Sequence, residues 1–217
     1  MRLVVLASGR GSNLRAIIDA IDTGELDASV SGVFSDKPTA PALAIGRAAD
    51  IETSALDPRA YPTRAAFDDA LLDRVSAMAP DLVVLAGYMR IISEAALAPW
   101  VGRMVNIHPS LLPDHPGLDT HRRALEAGDA RHGASVHYVT PTLDGGPVLA
   151  QTSITIGADD TPTSLARRLL PLEHRLYVAT LVLMSGGKLC WRDGGAQLDG
   201  RPLTHPLQHD GQSAFID

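Results

Sequence analysis

The stretch Arg2-Leu3-Val4-Val5-Leu6-Ala7-Ser8-Gly9-Arg10-Gly11-Ser12-Asn13-Leu14 decides how the rest of the chain is read. A short, uninterrupted apolar run is followed by a glycine-rich turn and then by an amphipathic pattern over Asn13–Ile21. That order is a buried strand, a loop and a helix, the opening of a parallel α/β unit. The same alternation continues along the chain. Strands are expected at Arg2–Ala7, Ser29–Phe34, Ile51–Ser54, Leu82–Ala86, Met104–His108, Ser135–Val139 and Val148–Thr155. Helices are expected at Asn13–Ile21, Ala42–Ala49, Arg64–Met78, Glu94–Ala98, Thr120–Ala127 and Thr163–Met184, with Pro171 kinking or splitting the last. The expectation is an α/β fold with a mostly parallel, twisted sheet of about seven strands and helices on both faces.

In 217 residues, 45% of them hydrophobic, one such sheet can be buried without help from metals or disulfides. The net charge of −6 argues against general nucleic-acid binding. Cys190 is the only cysteine, which excludes intramolecular disulfides and cysteine-rich zinc sites. The first apolar run is too short for a signal peptide, and no stretch is long enough to span a membrane. A cytoplasmic protein with no membrane partner is expected. Lys188–Arg192 reads as one added edge strand, and the residues from Arg201 to Asp217 as a loosely ordered tail. No internal repeat or linker interrupts residues 1–189, so these form one expected domain with 190–217 as its extension.

Parallel sheets bind ligands outside the carboxyl ends of their strands, and three motifs fall there. In the first, Gly9 and Gly11 permit a tight turn, and the N–H groups of Gly11, Ser12 and Asn13 would face an anion at the helix start. Phosphate binding is one reading. A glycine turn serving helix packing, with Ser12 or Asn13 as N-cap, is another. A dinucleotide loop would place a third glycine where Leu14 stands, and Asp36 would have to serve the ribose.

The second motif, Asn106-Ile107-His108-Pro109, ends a strand in a proline turn. Residues two apart on a strand project from one face, so Asn106 and His108 form a pair with a donor amide and an imidazole. The third, Leu143-Asp144-Gly145-Gly146-Pro147, has turn composition, and taken alone Asp144 reads as an Asx-type turn residue. Taken with Asn106 and His108, it completes an amide, imidazole and carboxylate set able to polarise a carbonyl and move a proton. His121, His132 and His137 lie nearby, but their spacings match no common zinc pattern, and no metal is expected. His137 sits within a strand and reads as a packing residue. His205 and His209 are separated by Pro206, which spoils a helical metal pair.

The motifs VVLASGRGSNL, DLVVLAGYMRIIS, VNIHPSLLP, HPGLDTH, HGASVHYV and LDGGPV together resemble the phosphoribosylglycinamide formyltransferase family, over nearly the whole chain to about Leu189. The resemblance implies a Rossmann-like formyltransferase fold with an N-terminal phosphate-binding half and a C-terminal folate and catalytic half. It implies formyl transfer from 10-formyltetrahydrofolate, a co-substrate and not a resident cofactor, to the amine of glycinamide ribonucleotide. By the same resemblance, Gly11, Ser12 and Asn13 match the substrate phosphate loop, and Glu173 matches a substrate-holding carboxylate. Arg64, Met89, Arg90, Ile91, Ile92, Asn106, Thr140, Pro141, Thr142, Leu143 and Asp144 match folate-contacting positions, and Asn106, His108 and Asp144 the catalytic trio. A monomer or homodimer is implied.

Related formyltransferases acting on initiator methionyl-tRNA lack SGRGSN and add a tRNA-binding domain. Formyltetrahydrofolate deformylases normally add an N-terminal regulatory domain. The sequence reads as carrying neither, although deformylase-like hydrolysis is the nearest alternative activity. It departs from the family pattern at Asp119, where many relatives have histidine, and at Leu170 and Pro171, where polar residues are more usual. Leu170 is therefore not assigned a binding role.

Overall fold

A computed structural model describes residues 1–211 and 214–216. The chain divides into two compact units, Met1–Asn106 and Ile107–Asp217. The architecture is α/β, with a mostly parallel sheet flanked by helices.

In the first unit, β1 (Arg2–Leu6) pairs in parallel with β2 (Ser29–Ser35) and with β4 (Leu82–Leu85). Strand β2 pairs with β3 (Thr53–Ala55), and β4 with the start of β5 (Met104–His108), again in parallel. Leu3 to Leu6 and Val83–Val84 are almost wholly buried. Uninterrupted apolar strands of this kind belong in a parallel sheet with both faces covered. Helix α1 (Ser12–Asp22) buries Leu14, Ile17, Ile18 and Ala20, one face at helical spacing. Helix α2 (Pro41–Ala48) begins with proline at its first turn, where the missing N–H costs nothing. Helix α3 (Arg64–Ala77) is capped by Thr63, whose Oγ1 accepts the Ala66 N–H at 3.1 Å. A short α4 (Glu94–Leu97) completes this unit's helices.

The second unit opens with the last two residues of β5. Helix α5 (Thr120–Ala127) follows, then β6 (Arg131–Tyr138) and β7 (Val148–Thr155), which pair antiparallel. Helix α6 (Pro162–Ser185) starts in a capping box, with Thr161 and Ser164 exchanging side-chain and backbone bonds. The expected split at Pro171 does not occur, and α6 runs unbroken through it. Proline in a helix interior costs about 3 kcal/mol. Here Leu165, Leu169, Leu176, Tyr177 and Leu181 are fully buried on both sides of it. At roughly 1.5–3 kcal/mol for each buried side chain, packing outweighs the lost hydrogen bond.

The strand expected at Lys188–Arg192 is present, although in a second sheet, and from Arg201 on the expected loose tail is corrected. Strands β8 (Leu189–Arg192), β9 (Gly195–Leu198) and β10 (Arg201–Pro202) form a separate antiparallel sheet. Their turns are Asp193-Gly194 and Asp199-Gly200, and all four residues have positive φ. That is the type I′ pattern, for which Asp-Gly is a preferred pair. Strand β11 (Leu207–His209) then adds in parallel to β7, and β12 (Phe215–Ile216) pairs with β11. Arg175 of α6 donates to the Gly211 carbonyl and holds this end of the chain down. Gln212, Ser213 and Asp217, part of the same expected tail, lie outside the described residues. No helix among the described residues is long and apolar enough to cross a membrane.

Candidate active site

In the first unit the glycine loop follows β1, and the segment Met89 to Ile92 follows β4. Ser8, almost wholly buried, ties them together: its N–H donates to the Gly87 carbonyl at 3.0 Å, and its Oγ accepts the Met89 N–H at 2.9 Å. The N-cap of α1 is Gly11, with φ +78°, and no side chain caps the helix. Neither Ser12 nor Asn13 caps, contrary to the packing-turn expectation. Without a side-chain cap, the helix start keeps its first-turn N–H groups available to an anion. The buried Oδ1 of Asn13 has no hydrogen-bond partner.

Gly11 nevertheless has a structural reason of its own. A Cβ there would lie 2.8 Å from Ala42 Cα and 2.9 Å from Ala42 Cβ on α2. Gly11→Ala is therefore expected to cost stability, about 1–3 kcal/mol from overpacking and the positive φ together. A denaturant midpoint equal to that of the parent protein would contradict this.

The side chains matched to folate contacts fall into exposed and anchored groups. Met89 and Ile91 are exposed, whereas Ile92 is buried. The Arg90 guanidinium lies over the Phe67 ring, 4.9 Å from its centroid. Arg64 Nε stands 3.6 Å from Asp68 Oδ2, and the same fully buried carboxylate accepts the Ser93 N–H at 2.8 Å. A carboxylate within the apolar stripe of α3 thus fixes both Arg64 and the end of the Met89–Ile92 segment. Asn106 is half-buried on β5, two residues before His108.

The second unit holds the titratable groups. His108 is buried, with Nδ1 3.4 Å from Asp144 Oδ2 and Nε2 3.0 Å from the His115 carbonyl. A carbonyl can only accept, so Nε2 carries a proton and donates it. Both ring nitrogens thus face acceptors, an arrangement that an imidazolium satisfies.

Asp144 itself has φ +49° in a turn closed by the Gly145 N–H donating to the Thr142 carbonyl at 3.1 Å. It is not an Asx-turn residue: its Oδ2 accepts the Gly117 N–H at 2.8 Å, from a residue 27 positions earlier. The glycines beside it are required by contact. A Cβ on Gly146 would lie 1.8 Å from the Tyr138 carbonyl oxygen, and one on Gly145 would lie 2.5 Å from Thr142 Cγ2. Thr140 donates to the Thr142 carbonyl at 3.3 Å, while Leu143 is exposed.

His137 belongs to this constellation, although its sequence position reads as packing. Its Nε2 lies 3.6 Å from Asp144 Oδ1, and its Nδ1 donates to the Tyr138 carbonyl at 2.9 Å. Burial, more than any neighbour, pulls the His137 pKa down. Asp144 therefore stands between two imidazoles, one per oxygen.

Glu173 is buried on α6. Asp119 is a left-handed N-cap of α5 that makes no capping bond, and it pairs with Arg122 at 2.7 Å on the surface. Among the described residues no group of histidine, cysteine, aspartate or glutamate could hold a metal ion.

Two further histidines carry a pH dependence. His121 Nδ1 and His132 Nε2 are 2.9 Å apart. Burial, followed by the charges of His121 and His115, lowers the His132 pKa to about 4. An unfolded histidine titrates near 6.5. Above about 6.5 both states are neutral and His132 contributes no pH dependence. As the pH falls from there to about 4, the unfolded chain takes the proton first and stability is lost. Urea midpoints should fall more steeply over that window in the parent protein than in His132→Gln. Parallel slopes would contradict the assignment.

Residues 1–181 match the family described as formyl transferase. The chain belongs to the formyl transferase family. Within it, the phosphoribosylglycinamide formyltransferase of Escherichia coli (strain K12) is 46% identical over 203 residues, covering 94% of this chain and 96% of that protein. The phosphoribosylglycinamide formyltransferase of Bacillus subtilis (strain 168) is 37% identical over 185 residues, covering 85% and 95%. Among solved structures, the phosphoribosylglycinamide formyltransferase of Coxiella burnetii has a TM-score of 0.90 at 43% identity, covering 94% of this chain and 96% of that one.

Proposed function

We propose that this chain transfers the formyl group of 10-formyltetrahydrofolate to the amine of glycinamide ribonucleotide, in purine biosynthesis. The observation that carries the reading is the His108–Asp144 pair, 3.4 Å apart in a chain whose full-length relatives are named for this reaction. Ribonucleotide and folate are the small-molecule partners, with no nucleic acid and no membrane, and the protein acts as a cytoplasmic monomer or homodimer. Residues 1–189 act as one formyltransferase domain, with 190–217 an extension of it.

The amine attacks the formyl carbon, and negative charge develops on the formyl oxygen. Asn106 donates its amide N–H to that oxygen, and His108 donates a ring N–H. Because Nε2 of His108 is committed to the His115 carbonyl, its Nδ1–H is the proton offered. The 3.4 Å separation from Asp144 exceeds a normal hydrogen bond, which leaves that N–H open to a formyl oxygen placed beside the carboxylate, with the ring unmoved. One well-placed donor is worth roughly 3–4 kcal/mol to such a transition state. Asp144 faces the Nδ1 side of the His108 ring and stands ready to take the proton the amine must lose. His137 supports that step: with Nδ1–H committed to Tyr138, its Nε2 is an acceptor beside Asp144 Oδ1, a place for a proton between them. Departure of the folate nitrogen, protonated in turn, completes transfer.

Gly11, Ser12 and Asn13 hold the ribonucleotide phosphate and Glu173 holds the same substrate. Arg64, Met89, Arg90, Ile91, Ile92, Asn106 and Thr140 to Asp144 contact the folate. Gly9 gives a clean test of the loop, since a Cβ there meets nothing within 4 Å. Gly9→Leu should leave the melting temperature unchanged and weaken ribonucleotide binding. Unchanged affinity would remove the phosphate from this loop.

Hydrolysis of the formyl group is not favoured, because the relatives matched over nearly their full length are transferases. Omitting one substrate at a time tests the reading. Loss of 10-formyltetrahydrofolate should require the ribonucleotide, and formate release at the same rate without it would replace transfer by hydrolysis.

A further inference from the structure

Between β5 and α5 the chain makes a loop in which one short segment touches both members of the His108–Asp144 pair. The His115 carbonyl accepts from His108 Nε2 at 3.0 Å, and the Gly117 N–H donates to Asp144 Oδ2 at 2.8 Å. The segment therefore presents an acceptor to the imidazole and a donor to the carboxylate, two residues apart. Whatever fixes this segment fixes how the imidazole and the carboxylate face each other.

His115 is an unusual residue for that place. Its φ is +52°, in the left-handed region that a side-chain-bearing residue enters at a cost. The conformation persists only where its surroundings hold it. Its side chain supplies such a hold: Nε2 lies 2.6 Å from Asp129 Oδ2, with both groups largely buried or partly so. Asp129 is itself rigidly placed, because its N–H donates to the Ala124 carbonyl where α5 ends at Gly128. On the other side, Ser110 Oγ donates to the Asp114 carbonyl at 2.6 Å, and Arg123 donates to the Pro116 carbonyl. The carbonyls flanking that of His115 are thus held from separate directions, and the His115 side chain is the hold nearest the peptide that meets His108.

We propose that the His115–Asp129 pair is a positioning device for the His108–Asp144 dyad, acting through the His115 carbonyl and the Gly117 N–H. The proposal rests on the reading of that dyad as the reacting groups. Neither His115 nor Asp129 is given a role in bond making. Their part is to keep the His108 ring with Nε2 satisfied and Nδ1 turned toward Asp144. Small displacements of a reacting group lower the chemical step without weakening substrate binding.

Asp129→Asn, His115→Ala, the double variant and His115→Gln test this in the full-length protein. Asp129→Asn and His115→Ala should each lower kcat about tenfold with KM for both substrates unchanged. The double variant should be no worse than either single one, because the two side chains act as a unit. His115→Gln, which can still donate to Asp129, should recover most of the rate. Nitrogen-15 spectra of the ligand-free protein give a readout independent of turnover. The His108 Nε2–H proton, bonded to a carbonyl, should exchange slowly in the parent protein and quickly in Asp129→Asn. Parental kcat and an unchanged His108 signal in Asp129→Asn would overturn the proposal. So would a lowered melting temperature with kcat intact, since that marks a purely structural pair. If the His108 signal changes as expected but the parent protein transfers no formyl group, the positioning stands and the proposed reaction falls.

Discussion

Asp144→Asn is expected to lower kcat by about a thousandfold while KM for both substrates changes little, within the 10²–10⁴ range typical of a lost acid–base group. The replacement keeps shape and volume. Its amide oxygen can still accept the Gly117 N–H that now reaches Oδ2 at 2.8 Å, so the turn survives. The nitrogen then takes the place of Oδ1 beside His137 Nε2, while a neutral amide oxygen faces His108 Nδ1. The His108 ring loses its facing carboxylate, and the attacking amine loses its proton acceptor. Steady-state kinetics with each substrate varied, alongside a thermal melt, separates the two effects. A kcat within threefold of the parent value, in a protein that melts normally, would remove Asp144 from the chemistry.

His108→Ala should cost about 10²–10³ in kcat, the usual loss when an oxyanion donor is removed. Here a stability cost accompanies it. The His115 carbonyl loses its 3.0 Å donor and Asp144 loses one of its two imidazoles, and each buried polar group left short of a partner costs about 1–3 kcal/mol. Turnover per folded molecule is therefore the quantity to measure, with the folded fraction taken from the melt at assay temperature. If that corrected turnover stays near the parent value, Asn106 alone suffices for the formyl oxygen, and His108 is a structural residue.

Much of this arrangement was legible in the sequence, for identifiable reasons. Strand β5 is bounded at both ends as expected, because an apolar run meets Pro109, which no strand interior tolerates. Strand β7 and helix α5 also fall on their expected bounds, the helix closing at Gly128 with φ +72°. The tail was misread because its strands are too short to show a period. A local signal stands just ahead of it: the Asp-Gly pairs at 193–194 and 199–200 mark hairpins, and the second leads into β10. Pro171 does not split the helix because propensity is a weak prior where one face of a helix is buried on both sides of it.

The site was legible in its residue types and illegible in its wiring. Asp144 has turn composition on both sides, and nothing nearby in sequence points to Gly117 as its partner. His137 was hidden for a different reason. Every residue of β6 from His132 to Tyr138 is buried, so alternation cannot tell which polar side chain faces a functional group. The left-handed backbone of His115 has no sequence mark either, since histidine is not a residue that turn chemistry demands. Gly11 shows the converse: the sequence offers a phosphate turn and a packing turn for the same glycine, and the close approach of α2 accounts for the packing part.

The most direct test follows the formyl carbon. With 10-formyltetrahydrofolate labelled with carbon-13 at the formyl group, and glycinamide ribonucleotide present, the label should appear as the formamide carbon of the ribonucleotide. It should appear at the rate at which the folate signal is lost, with no formate. Label collecting as free formate while the ribonucleotide stays unmodified would contradict formyl transfer by this protein.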